Sequence, residues 1–128
     1  MADKDALIRG IGELLVRDIA TAGHALDGYA LIAAYAGDGT RRISGFGYRD
    51  GEAPVAATPK NEVETIGARL DELREATRVA GEEPWTVCVI QLRRAGGRLH
   101  AEFVYEDAAR WAITPETLAD VAERARPG

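Results

Sequence analysis

Two histidines, one cysteine and one serine are the side chains in this 128-residue chain best suited to catalysis or metal binding. Their spacing argues against both roles. A zinc site needs several ligands at set intervals. Neither His24 nor His100 has a cysteine or a second histidine near it in sequence, and Glu102 alone does not complete a site. Both histidines therefore read as surface or strand-edge residues. Ser44 lies in Ile-Ser-Gly-Phe-Gly, without the Gly-x-Ser-x-Gly elbow of a nucleophilic serine. A triad with His24 or His100 would need a coincidence of folding. Cys88 stands among Val87, Val89 and Ile90. Desolvation there raises the thiol pKa and makes it an inert core residue. Gly37-Asp38-Gly39 and Gly45-Phe46-Gly47 lack the spacing and the following lysine of a phosphate loop. Glu102, Glu106 and Asp107 are the closest set of acids for glycosidase-type chemistry, but nothing in the sequence supplies the pocket that would split their pKa values. The expectation is a chain with no catalytic residue, no bound metal and no cofactor.

The remaining candidate is the run Tyr105-Glu106-Asp107-Ala108-Ala109-Arg110-Trp111. It gathers aromatic and charged side chains at a strand-to-helix joint. Trp, Tyr and Arg dominate the energetics of protein interfaces. Trp111 either caps the core or anchors a partner, and the acids are either solvated or in contact with one. With Glu102 and Tyr48, this run gives the expected contact set: Tyr48, Glu102, Glu106, Asp107, Arg110 and Trp111.

The elements that position these residues follow from periodicity. Leu7, Ile8, Ile11, Leu14, Leu15 and Ile19 form a helical stripe over residues 3 to 22. Asp3 or Asp5 can cap its start, and Gly23 marks its end. Residues 28 to 36 change to a period of two, apolar on both sides, as a strand covered on both faces would be. Gly37-Asp38-Gly39 turns the chain into a return strand, 41 to 49, in which Ile43 is out of phase with Phe46 and Tyr48. Gly45 and Gly47 mark a bulge or a close backbone approach. A loop through Pro54 and Pro59 follows. Val63, Ile66, Leu70, Leu73, Thr77 and Ala80 define a second helix over 60 to 80, closed by Gly81 and Pro84. Strands are expected over 85 to 93 and 98 to 105, joined at Ala95-Gly96-Gly97, with Leu99, Ala101, Phe103 and Tyr105 facing the core. Thr114 and Pro115 then open the last helix. The pattern predicts one α+β domain over 1–128. Its order is α-β-β-α-β-β-α, with an antiparallel sheet of about four strands and helices mainly on one face.

Composition sets the outer limits. The apolar fraction is 46% and the charged fraction 29%, ordinary for a globular protein. Twenty-one acids against sixteen bases give a net charge of −5. That balance argues against nucleic acid, which needs a basic surface, and suits a basic protein partner. The N-terminal residues carry acids from position 3 and no long apolar run, so neither a signal peptide nor a membrane span is expected. With a single cysteine, the expected location is the cytoplasm.

Four stretches occur in order between residues 60 and 115: Leu70-Asp71-Glu72-Leu73-Arg74, Glu83-Pro84-Trp85-Thr86, Gly96-Gly97-Arg98-Leu99 and Phe103-x-Tyr105-Glu106-Asp107. In these the chain resembles the YezG-like family of bacterial immunity proteins. The resemblance implies a non-catalytic cytoplasmic antitoxin. Its partner would be the C-terminal toxin domain, often a nuclease, of a secreted polymorphic toxin. The competing expectations are a small self-associating scaffold, and a small hydrolase built on His24 or His100.

Overall fold

The computed structural model describes residues 3–22, 26–106 and 108–127. Helix α1 spans Lys4–Ala22. Its cap is Asp3, whose carboxylate accepts the Asp5 N–H at 2.9 Å. Gly23, the expected end of this helix, lies outside the described residues. Strands β1 (Gly28–Tyr35) and β2 (Arg41–Tyr48) form a hairpin. Its turn works through Gly39, at φ +87°, and through Asp38, whose carboxylate takes the Thr40 N–H at 2.9 Å. There follow β3 (Val55–Ala56), α2 (Val63–Ala76), β4 (Val87–Arg93), β5 (Arg98–Val104) and α3 (Leu118–Arg124). Short 3₁₀ turns lie at Ala95–Gly97 and Ala108–Trp111.

The class is α+β. All pairings are antiparallel, in the order β3-β2-β1-β4-β5. The fifth strand is β3, in a stretch expected to be loop. Two exposed residues between prolines have no alternation to read, and β3 exists only because Val55 and Ala56 fall opposite Gly47 and Phe46.

Alternation along β1 and β4 divides the interior into two cores. Leu31, Ala33, Cys88 and Ile90 face α1 and α2, meeting Ile11, Leu15, Ile66, Leu70 and Leu73. Ala30, Ile32, Val87 and Val89 face the other way, toward Trp111, Val121, Ala122 and Ala125. So α3 lies on the face opposite the two long helices, and the helices fall mainly, though not all, on one face. A seven-residue helix has little propensity to stand alone and must be held by tertiary contacts. Here the Tyr48 hydroxyl donates to the Ala122 carbonyl at 2.7 Å, and the Gln91 amide donates to the Ala125 carbonyl at 2.8 Å.

Element ends depart from expectation for local reasons. Helix α2 stops at Ala76 rather than near 80, because the Thr77 hydroxyl turns back to the Leu73 carbonyl at 2.8 Å and accepts the Trp85 indole N–H at 2.8 Å. The Thr114 hydroxyl accepts the Thr117 N–H at 3.2 Å, as an N-cap does, yet regular helix begins only at Leu118. Strand β5 ends at Val104. Tyr105, expected to face the core, is therefore 54% exposed. Gly45 and Gly47 make no bulge, since the β1–β2 register runs unbroken. They allow close approach: a Cβ on Gly45 would meet the Tyr29 hydroxyl, which donates to the Ala57 carbonyl at 2.5 Å.

One contact seats α2 on α1. The carboxylate of Asp18, 6% exposed, accepts backbone N–H groups from Lys60 at 3.1 Å, Asn61 at 2.8 Å and Glu62 at 2.8 Å. These donors precede the first turn of α2, where no intrahelical acceptor exists. Glu62 itself provides no side-chain cap.

Candidate functional site

Three of the four stretches that carry the family resemblance meet in one packing cluster. Trp85 is fully buried, stacked on Phe103 and edge-on to Tyr35, each at 5.5 Å. The Arg74 guanidinium lies 4.5 Å from the Tyr35 ring centroid and donates to the Trp85 carbonyl at 2.9 Å. Asp71 accepts from the Tyr35 hydroxyl at 2.7 Å and from Arg41 at 2.7 Å. Burial, and then the bond to the Asp71 carboxylate, raise the Tyr35 phenol above its ordinary value. These hydrogen bonds and ring contacts hold α2 against the sheet.

The residues singled out for chemistry are dispersed. Cys88 is buried, and desolvation pushes its thiol up to about 12. His100 is exposed on β5, opposite Gln91. His24 lies outside the described residues. Among the described residues, no group of three or more His, Cys, Asp or Glu is placed to hold a metal ion.

The contact set divides in two. Tyr48 is buried and bonded to Ala122, with the Arg126 guanidinium 5.1 Å from its ring centroid. It pairs with Gly28, which in turn pairs with Arg93, so two strands lie between it and β5, and it sits at the opposite end of the sheet from Glu106. Burial holds its phenol above the ordinary range. Trp111 is also buried, and Arg124 covers its ring at 5.8 Å. Both aromatics are core residues rather than exposed anchors. Glu102, Glu106 and Arg110 are exposed, and Asp107 lies outside the described residues. Glu102 projects from β5 on the α3 side of the sheet, Glu106 follows just past the strand end, and Arg110 sits in the 3₁₀ turn beyond.

Sequence periodicity left two surfaces unread. The first is the outer edge of β5, the last strand of the sheet. The Tyr35 N–H donates to the Thr86 carbonyl, which sets Val87, Val89, Gln91 and Arg93 of β4 to bond with Val104, Glu102, His100 and Arg98, so Leu99, Ala101 and Phe103 turn their backbone groups outward. Acids lie toward one end of this edge, at Glu102 and Glu106, and Arg94 and Arg98 lie at the other. The second is the half of the α3-side face that α3 leaves open, a groove of about 610 Å³. Ile32, Ala34 and Val87 form its floor, and Trp111 and Ile113 form one wall. Arg42 and Ser44 line its β2 side. No signal short of the sheet order could have revealed either, because each depends on which strands end up outermost.

No protein-family model matches the chain, and no curated protein matches it. No described helix is long and apolar enough to cross a membrane.

Proposed function

We propose that this chain is a stoichiometric protein inhibitor of the immunity type, which occupies a basic surface on a toxin domain in the cytoplasm. One observation carries the reading: the outer edge of β5, which no strand among the described residues pairs, presents outward backbone groups beside the exposed carboxylates of Glu102 and Glu106. An exposed edge is a ready template for another chain. Acids at one end and arginines at the other would fix the direction in which a partner lies along it. The net charge of −5 favours encounter with a basic domain such as a nuclease. The contact set that follows is Glu102, Glu106 and Arg110, with Tyr105 as its exposed aromatic ring.

The test is co-expression with the C-terminal domain of the large secreted protein encoded beside it, scored for rescue of growth and for one-to-one co-purification. The double variant Glu102→Lys, Glu106→Lys is expected to lose rescue while keeping the fold. Rescue by the double variant would remove this site. No complex with the neighbouring product would remove the inhibitor reading. A self-associating scaffold would use the same edge, and sedimentation of the isolated chain over a range of concentrations separates the two.

A further inference from the structure

A second edge has a different construction. Strand β3 covers β2 only at its C-terminal end, pairing with Phe46 and Gly47, and Ala57 donates its N–H to the Gly45 carbonyl at 2.8 Å. Gly45 therefore turns its backbone groups away from β1. By the alternation of an antiparallel ladder, Ile43 and Arg41 do the same. Neither has a backbone partner on that side among the described residues. The open segment is short, but a hollow lies on each side of it. On the α3 side is the groove already described, with Arg42 and Ser44 at its mouth. On the α2 side is a smaller hollow of about 230 Å³, lined by Arg41, Ile43, Val63 and Glu64. Successive side chains of a strand point to opposite faces. A strand added beside Arg41–Ser44 would thus place alternate side chains in the two hollows.

The charges select the occupant. Arg41 is paired with Asp71, whereas Arg42 is exposed and has no acidic partner among the described residues. Two copies pairing β2 to β2 in a register centred on Arg41 and Arg42 would set these like charges opposite each other, which is destabilising on a sheet. We propose that the open end of β2 accepts an extended acidic segment of another protein as an added antiparallel strand. A carboxylate of that segment meets Arg42, with its methylenes over the apolar groove, and the alternate, apolar side chains enter the hollow beside Ile43 and Val63. This surface is separate from the β5 edge, and the proposal does not depend on the inhibitor reading.

The probe is a capped eight-residue peptide alternating valine and glutamate, titrated into the full chain and followed by amide and indole NMR shifts. Shifts are expected at Arg41–Ser44 and at the Trp111 indole. In an antiparallel addition the valines, on the Ile43 side, turn their N–H groups toward β2. N-methylation of the valines is therefore expected to abolish binding, and N-methylation of the glutamates to leave it intact. Arg42→Glu should weaken binding roughly tenfold, the size of one lost charge-assisted hydrogen bond, and a valine-lysine peptide should recover it. Equal sensitivity to both methylation patterns would overturn strand addition. Equal binding of a valine-glutamine peptide would overturn the acidic selection. Concentration-dependent shifts at Arg41–Ser44 without peptide would make the surface an interface between copies and overturn the proposal.

Discussion

Asp18 shows how much one side chain can decide. It lies in α1, yet its carboxylate takes three backbone N–H groups that precede α2, more than 40 residues later in the chain. Removing it takes the acceptor from three backbone donors at the start of α2. Asp18→Ala is expected to cost about 1–3 kcal/mol, the range for a lost helix cap and a buried unsatisfied donor. Asp18→Asn should cost less, since its amide oxygen still accepts. Urea unfolding of the three proteins would check the order, and an unchanged midpoint for Asp18→Ala would contradict it. The sequence held half of this role. Asp18 falls on the apolar stripe, seven residues after Ile11 and three after Leu15, so its side chain faces the core. The donors it takes lie in a distant stretch that spacing alone does not bring near. Cys88 is the opposite case. Its apolar neighbours in sequence are also its neighbours in the strand, so burial and inertness could be read directly.

At the scale of elements, what the sequence revealed were features written into contiguous residues. The stripes of α1 and α2 and the two-sided apolar character of β1 and β4 are local patterns, and each appears in the fold. What depended on long-range pairing was hidden. Strand β3 carries no pattern of its own, and α3 has a thin stripe that does not say which face it will cover. The candidate site follows the same division. Glu102, Glu106 and Arg110 were legible as exposed charges, whereas Tyr48 and Trp111 looked like anchors only until their neighbours from distant strands buried them. The docking of α3 can be tested through Tyr48. Its phenol is buried and held protonated, and its hydroxyl donates to the Ala122 carbonyl. Tyr48→Phe keeps the ring and removes the donor. The expected loss is about 1 kcal/mol, with faster amide exchange concentrated in Leu118–Arg124. Uniformly faster exchange throughout the chain would mean that the hydroxyl does not hold this helix in particular.

The whole molecule is a sheet with a core on each face, and the two tryptophans fall one to each. Trp85 belongs to the α1–α2 side and Trp111 to the α3 side. Each core draws on alternate residues of the same two central strands: Leu31 and Ala33 against Ala30 and Ile32 in β1, Cys88 and Ile90 against Val87 and Val89 in β4. A strand cannot lose its register on one face and keep it on the other, because the same backbone ladder places both sets of side chains. Shedding the α3 layer would also expose Val87, Val89 and Ile32, all at most 2% exposed, to water. The two faces are therefore expected to unfold as one cooperative unit, as most domains of this size do. The variants Trp85→Phe and Trp111→Phe leave a single fluorophore on each side in turn. Their fluorescence transitions in urea should each coincide with the loss of far-UV circular dichroism measured on the same variant. If the transition reported by Trp111 precedes loss of the sheet signal, the α3 layer opens by itself and the groove beside it widens before the fold is lost. If the two coincide, the groove and the open end of β2 persist until the sheet that frames them unfolds.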